Sequence, residues 1–286
     1  MPTTLVRTLF GVLGEEPPLS PEMLAAALSL VSRTSACVPF RVADGRLEAA
    51  FAGTRALGLA GLAVARPLAQ GAAKLVDALE GDAAAMGEAT VVVQNEGRLV
   101  GHFGATVGLT MLLDQARFDC HGKRALVFGA GKGARGVAYS LARAGASEVI
   151  IANRTFQRAR DLCERLSGLG AEALAAPASA AAIRELLPMA QVVVNATTVG
   201  EGAPDESPLP PSAGFHPDAL VLELVQRPLK TRFIRQAQEQ GAQVVDGLEV
   251  LVHEGLATLQ LWLGRPVDAS RLVPVMRAAA LEALLG

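Results

Sequence analysis

A glycine-rich turn between an apolar run and a helical pattern is the strongest chemical signal in this sequence. In RALVFGAGKGARGVAYSLARAGA, Gly129 permits a tight turn, Gly131 lets the backbone approach a pyrophosphate, and Ala134 is small enough for close helix-to-strand packing. The helix N-terminus would then direct its unpaired N–H groups at the phosphates. We therefore expect a dinucleotide site, the alternative being an ordinary strand-to-helix turn, formed by Gly129, Ala130, Gly131, Lys132, Gly133 and Ala134.

The end of the next apolar run, EVIIANRT, bears on which dinucleotide binds. An NAD site usually carries Asp or Glu here, about 20 residues beyond the glycine turn, to bind the ribose 2′-hydroxyl. This chain has Asn153, Arg154 and Thr155, with Arg158 one helical turn further on. A guanidinium pairs with a 2′-phosphate that a carboxylate would repel. NADP(H) is therefore favoured over NAD, unless both arginines are only solvated charges at a helix start.

A third polar turn follows the apolar run QVVVNA. Small and hydroxyl side chains at this place would lie beside the nicotinamide end of the cofactor. The signal is weak alone, because Asn and Thr also cap ordinary strand-to-loop turns. The residues concerned are Asn195, Ala196, Thr197, Thr198 and Val199.

The elements that must position these turns suggest two α/β domains. Strand-like runs and Ala-rich helical patterns alternate up to about residue 105, and a helix is predicted over Thr106–Phe118. Strands and helices then alternate regularly, which predicts a parallel sheet, because each parallel crossover needs an intervening helix. We expect a substrate domain over 1–105, completed by helices in 248–286, and a Rossmann-like domain over 106–247. The Gly- and Pro-rich stretch 199–215 should be a loop.

Composition narrows the partners. A net charge of −2 with interspersed charges leaves no basic face for nucleic acid or anionic lipid, and no 18-residue stretch is free of polar residues. Three widely spaced cysteines and the absence of a signal-peptide pattern favour a cytoplasmic protein. The four histidines lack metal-ligand spacing, so no metal site is expected. The remaining partner is a small-molecule substrate, and a homodimer is left open.

GAGKGARG, IIANRT, VVVNATTVG and VVDGLEVLVHEGLATLQLWLG together resemble motifs of the shikimate dehydrogenase family. The resemblance implies a catalytic N-terminal domain, a second, NADP-binding domain, a final helical segment that packs on the first domain, and a substrate cleft between the domains. We also predict that Gly247, in the last of these motifs, contributes to binding the cofactor.

The resemblance fails at the residues that carry the family's chemistry. The family has a catalytic Lys at the end of an NVTxPxK-like motif and a partner Asp in a GxNTDG-like motif. The corresponding segments GLAVARPLAQ and GHFGATVG place Ala69 and Ala105 there. An ammonium can polarise a carbonyl or donate a proton, and a carboxylate can hold it in place, whereas alanine does neither.

Other substrate positions have drifted as well. A family Ser-x-Ser pair becomes Pro18-Leu19-Ser20, an Asn becomes Ala89, a Tyr becomes Gln226 and a late Gln becomes Glu254. Leaving substrate hydroxyl or carboxylate groups unpaired costs ~1–3 kcal/mol each, so shikimate itself is not the expected substrate.

Seven residues are candidates for a rewired site, among them His253, which directly precedes Glu254. His102 could donate a proton near neutral pH, Arg66 could bind a carboxylate, and Glu254 could bind an amine or hydroxyl. Each has a plain alternative as a capping or solvated residue. The candidate substrate-binding residues are Ser20, Thr90 and Gln226.

Two functions fit this pattern. An NADP(H)-dependent oxidoreductase would act on a carbonyl or imine other than shikimate, and an iminium would need less acid assistance because it is already cationic. A catalytically silent NADP-binding sensor, scaffold or partner protein is the alternative, because both Ala69 and Ala105 lack ionisable groups.

Overall fold

The protein divides into two compact units in the computed structural model, which describes residues 6–14, 20–43 and 45–285. Unit 1 comprises 1–108 with 252–286, and unit 2 is Leu109–Leu251. Both are α/β: each contains a six-stranded sheet together with helices.

Unit 1 is built on a mixed sheet in the order β2-β1-β3-β5-β6-β4. Strands β2, β1 and β3 are parallel, whereas β5 runs antiparallel to β3 and to β6. Its apolar core includes Leu62, Val92 and Leu99, all fully buried. The elements before residue 109 are β1 (Thr8–Gly14), α1 (Ser20–Val31), β2 (Ser35–Arg41), α2 (Leu47–Leu57), β3 (Gly61–Val64), α3 (Ala69–Ala73), β4 (Ala78–Leu79), α4 (Asp82–Met86), β5 (Val91–Asn95), β6 (Arg98–His102) and α5 (Gly104–Ala116), with α5 continuing into unit 2.

Sequence analysis did not predict strand β6, which forms a hairpin with β5. Glu96 and Gly97 both have positive φ, 49° and 81°, as the central residues of a two-residue hairpin turn do when their twist matches that of the strands. The antiparallel register then pairs Val91 with His102. This turn therefore fixes the position of His102.

Unit 2 carries an all-parallel sheet in the order β12-β11-β10-β7-β8-β9. Counted along the unit, this is the 6-5-4-1-2-3 order of dinucleotide-binding sheets, and the order in which strands are added reverses between β7 and β10. The elements are β7 (Arg124–Phe128), α6 (Lys132–Arg143), β8 (Glu148–Asn153), α7 (Phe156–Ser167), β9 (Ala173–Pro177), α8 (Ala180–Leu186), β10 (Val192–Asn195), β11 (Leu220–Glu223), α9 (Arg232–Glu239) and β12 (Gln243–Val245). The predicted Rossmann-like order of strands and helices is confirmed.

The alanine-rich segment 173–186 has no distinctive sequence pattern, yet it forms both β9 and α8. Ala173–Pro177 is the edge strand β9, paired with β8, and Ser179 starts α8 by accepting a hydrogen bond from the N–H of Ala182 at 3.3 Å. Propensity does not favour strand for alanine, so the pairing with β8 decides the conformation.

Two long helices complete the chain, α10 (Gly247–Leu263) and α11 (Ala269–Leu285). The part of α10 in unit 1 packs tightly: Trp262 stacks on Phe10 with ring centroids 4.4 Å apart, and Gly255 lies between the side chains of Met23 and Met276. Helix α11 packs on α1. These contacts tie the C-terminal helices to the sheet and helices of unit 1.

The structure also bears on membrane spans, metal ligands and the reactivity of the cysteines. No helix in the described part of the chain is long and apolar enough to cross a membrane. No group of three potential ligands for a metal ion occurs among the same residues. Cys37, Cys120 and Cys163 are unpaired and buried, and burial raises the pKa of their thiols to about 12, 11 and 11. These thiols are therefore poor nucleophiles near neutral pH.

Candidate functional site

The glycine turn lies at the point of unit 2 where the strand order reverses. Gly129 has φ 106°, and a Cβ there would stand 2.8 Å from the carbonyl oxygen of Ala196, so only glycine fits. Gly131 precedes α6 in extended backbone, and no described atom outside its chain neighbours lies within 4 Å of where its Cβ would be. Ala134 is fully buried against the sheet. The turn is thus closely packed at Gly129, whereas Gly131 forms an open rim with free space beside its backbone, as a pyrophosphate site requires.

The corner at the end of β8 is basic and exposed. Asn153 donates from Nδ2 to the carbonyl oxygen of Thr155 at 2.9 Å, which shapes the turn into α7. Arg154 and Arg158 are exposed, and neither forms an ion pair with any described carboxylate. Both guanidinium groups are thus available to an anionic ligand.

The turn after β10 is held by its own polar side chains. Asn195 is fully buried; its Oδ1 accepts from the N–H and hydroxyl of Thr197 at 3.2 and 2.6 Å, and its Nδ2 donates to the carbonyl oxygen of Val199 at 3.1 Å. The N–H of Ala196 donates to Phe128 at 2.9 Å, which joins this turn to the glycine turn. Thr198 is exposed at the tip. The side chains of Asn195 and Thr197 are therefore committed to shaping the turn.

Two residues that were not predicted, Glu223 and Thr231, complete this arrangement. Glu223, at the end of β11, is fully buried and accepts hydrogen bonds from Asn195, Val225 and Thr231. Burial raises the pKa of the Glu223 carboxyl, and these hydrogen bonds act in the opposite direction. An acidic residue ending the apolar run LVLE was the one available signal.

Two further predicted residues lie at the loop after β11 in unit 2. Gly247 packs so closely on this loop that a Cβ would fall 2.1 Å from the carbonyl oxygen of Val225. Gln226, which follows Val225 in this loop, is half-buried. The glycine here serves close backbone packing, and its role toward a cofactor stays a prediction.

In unit 1 the backbone brings together the segments where the family motifs fail. The N–H of Ala89 donates to the carbonyl oxygen of Ala69 at 3.0 Å, and Thr90 Oγ1 accepts from the N–H of Gly104 at 2.9 Å. Ala69 is fully buried and Ala105 half-buried in the first turn of α5. Thr90, Ala69 and Ala105 thus lie in segments joined by hydrogen bonds, but neither alanine offers a charged or hydrogen-bonding side chain.

Arg66 and Glu254 form an ion pair in unit 1 although they are 188 positions apart. Arg66 lies in a short 3₁₀ turn after β3, and Glu254 lies on α10, whose backbone at this point packs against Gly108. The two side chains remain 36% and 27% exposed. Each therefore neutralises the other, so neither is a lone receptor for a charged substrate.

His102 ends β6 with its side chain largely buried. Its Nδ1 is 3.9 Å from a carboxylate oxygen of Glu80. Burial lowers the pKa of His102, and the charge of Glu80 opposes this only in part. At neutral pH the imidazole is therefore neutral, which weakens it as a proton donor. The last predicted substrate residue, Ser20, begins α1, and its side chain lies outside the described residues.

Comparison with known proteins agrees with this geometry. Residues 112–202 match the family described as shikimate/quinate 5-dehydrogenase, and residues 16–92 match the shikimate dehydrogenase substrate binding domain.

Individual relatives match over nearly the whole chain. The NADP(+) shikimate dehydrogenase of Moorella thermoacetica is 36% identical over 266 residues, covering 91% of this chain and 89% of that protein. The corresponding protein of Thermococcus kodakarensis is 35% identical, covering 96% and 97%. Shikimate 5-dehydrogenase of Thermus thermophilus, solved with NADP(H) and shikimate, superimposes with a TM-score of 0.82 at 33% identity, covering 96% of this chain and 100% of that one.

Proposed function

Because the chain belongs to the shikimate dehydrogenase family, we propose that it is an NADP(H)-dependent oxidoreductase whose substrate is a carbonyl or imine compound other than shikimate. The observation that carries the proposal is a contrast: the dinucleotide turn is intact, whereas alanine occupies both positions of the family's Lys and Asp. A nicotinamide site is useful mainly where hydride is transferred.

The residues present in unit 2 fit NADP(H). The open rim at Gly131 and the N-terminus of α6 would hold the pyrophosphate, and Arg154 and Arg158 would hold the 2′-phosphate. The chemistry that bound NADPH supplies is hydride donation to an electrophilic carbon. The turn 195–199 would position the nicotinamide half.

The residues of unit 1 restrict the substrate. Shikimate carries a carboxylate and several hydroxyl groups, which need hydrogen-bonding partners that Ala69, Ala89 and Ala105 cannot provide. The Arg66–Glu254 pair presents a carboxylate and a guanidinium already matched to each other. A substrate with hydrogen-bond donors suits the carboxylate of this pair. Because Ala69 and Ala105 cannot activate an electrophile, the substrate should carry one that is already activated, as a protonated imine is.

A neutral His102 is consistent with this substrate class. A carbonyl becomes an alkoxide on reduction and needs a proton, whereas an iminium becomes a neutral amine and needs none. The depressed pKa of His102 therefore disfavours unactivated ketones more than it disfavours iminium ions.

The test is a steady-state assay of NADPH oxidation against a panel of ketones, aldehydes and cyclic imines, with shikimate and NADP⁺ as the reverse-reaction control. Turnover with a panel member and none with shikimate supports the proposal. Shikimate oxidation at enzymatic rates would overturn the substrate assignment.

The loss at Ala69 and Ala105 also favours a second candidate, a catalytically silent NADP-binding protein. Tight NADPH binding in the absence of turnover with any panel member would support it. Cytoplasmic location and homodimer formation stay predictions, and sedimentation of the purified protein tests the second.

A further inference from the structure

The buried carboxylate of Glu223 joins three segments of unit 2 that are separate in sequence. Its Oε2 accepts from Asn195 Nδ2 at 3.1 Å and from the Thr231 hydroxyl at 2.8 Å, and its Oε1 accepts from the N–H of Val225 at 3.0 Å. Glu223 and Thr231 are fully buried, as is Asn195. One side chain therefore links the end of β10, the loop after β11 and the start of α9.

This network continues directly into the turn at 195–200. Asn195, fixed by Glu223, binds the backbone of Thr197 and Val199, and the Thr197 hydroxyl accepts from the N–H of Val199 at 3.0 Å. Gly200 follows with φ 102°, and a Cβ there would lie 3.0 Å from the Thr231 methyl group. The turn is thus held from both sides by groups that depend on Glu223.

The hydrogen-bond donors around Glu223 indicate which protonation form of its carboxyl group they can accommodate. Every hydrogen bond described for it is donated by a neighbour, so both oxygens act as acceptors, as they do in the ionised carboxylate. Burying a charge without an ion-pair partner is unfavourable unless hydrogen bonds compensate. An apolar residue at this position would leave the donors of Asn195, Val225 and Thr231 without this acceptor, so the acid is tied to the conformation of the segments that it joins.

We propose that Glu223 is a positioning residue, which holds the turn 195–200 in the conformation that receives the nicotinamide half of NADP(H). The inference rests on the proposed NADP(H) site. Glu223 touches neither substrate nor cofactor in this account; it acts through Asn195 and Thr197. The adenosine half, held at Arg154 and Arg158, lies on the other side of the glycine turn and is independent of Glu223.

The experiment compares wild type with Glu223→Gln, using calorimetric titration of NADPH and of 2′,5′-ADP, which carries the 2′-phosphate but no nicotinamide. An amide has one acceptor oxygen, so its NH₂ group must face one of the donors and that hydrogen bond is lost. We expect affinity for NADPH to fall about tenfold, as for loss of one charge-assisted hydrogen bond, with affinity for 2′,5′-ADP unchanged.

A cofactor-independent readout is amide hydrogen exchange of the unliganded protein. Exchange at Thr197 and Val199 should be faster in Glu223→Gln, whereas exchange in β8 should not change. If the variant does not fold, Thr231→Val removes one donor from the same network, and Thr231→Ser, which keeps the hydroxyl, should restore wild-type behaviour.

A matched control is Glu148→Gln, which breaks the ion pair between Glu148 and Arg124. These two residues begin β8 and β7, at the end of the sheet away from the turn 195–200. The control substitution should change neither affinity. Equal losses for both ligands in Glu223→Gln, or no loss for either together with unchanged exchange, would overturn the inference. If wild type bound neither ligand, the proposed NADP(H) site would fail, and the hydrogen-exchange comparison alone would decide whether Glu223 orders the turn.

Discussion

The dinucleotide site in unit 2 and the substrate-site positions in unit 1 present different kinds of group. In unit 2 the site consists of backbone shape: Gly129 with positive φ, an open Gly131, and a turn fixed through Asn195. In unit 1 the family's chemistry depends on two ionisable side chains, and both positions are alanine. From this difference we expect that the cofactor site persists as backbone geometry while the groups that act on shikimate have been replaced by substitution.

Substitutions at the two glycines of the turn in unit 2 should separate the stability of the fold from cofactor binding. Gly129→Ala should lower the free energy of unfolding by about 3 kcal/mol, because positive φ is unfavourable for alanine and its methyl group would meet the Ala196 carbonyl. Gly131→Ala, in extended backbone with free space, should leave unfolding nearly unchanged and lower NADPH affinity about tenfold. Urea unfolding and calorimetric titration measure the two. Similar stability losses in both variants would contradict this account of the turn.

The next effect concerns the 2′-phosphate. NADPH should bind at least tenfold more tightly than NADH, and Arg154→Ala should remove about 2 kcal/mol from NADPH binding while leaving NADH binding unchanged. The control is Arg160→Ala, because Arg160 lies on α7, which follows this corner directly, and pairs with Glu164. Equal affinities of the wild type for the two cofactors would refute the assignment of this corner.

The ion pair in unit 1 should have a modest effect on stability. A double-mutant cycle with Arg66→Ala and Glu254→Ala should give a coupling energy of about 0.5–1 kcal/mol, because both side chains are partly exposed. Trp262 is the one tryptophan and is buried in unit 1, so its fluorescence reports unfolding of this unit. A coupling energy of zero would show that the pair does not persist in solution.

The smallest effect is a pH dependence. Burial depresses the pKa of His102, so near pH 6.5 the unfolded chain binds more protons at this position than the native protein does. Its contribution to stability is therefore present above the ordinary pKa and is lost as pH falls through the lower native value. Denaturation midpoints should fall below about pH 6.5 in wild type, and less in His102→Gln. Identical pH profiles would contradict the burial of this histidine.

The local structure of unit 2 was the part that the sequence could predict. The glycine turn, the basic corner and the alternating strands and helices of unit 2 are encoded within short segments, so spacing and periodicity suffice. The predicted loop over 199–215 is confirmed for the same reason, since its Gly and Pro residues exclude regular structure locally.

Pairings between distant residues could not be predicted. Arg66 and Glu254 are 188 positions apart, and Asn195 and Glu223 are 28 apart, so nothing local reveals either contact. Strand β9 is alanine-rich and is a strand because β8 lies beside it. The burial that makes His102 neutral likewise depends on the β5–β6 hairpin, which sequence analysis did not anticipate.

Measuring NADPH binding and NADP⁺-dependent shikimate oxidation on the same purified protein separates cofactor binding from the family's reaction. We predict saturable NADPH binding with no shikimate turnover of ordinary enzymatic magnitude, which is roughly 1–10³ per second. Shikimate turnover in that range would show that Ala69 and Ala105 do not remove the family's chemistry, and it would contradict the account.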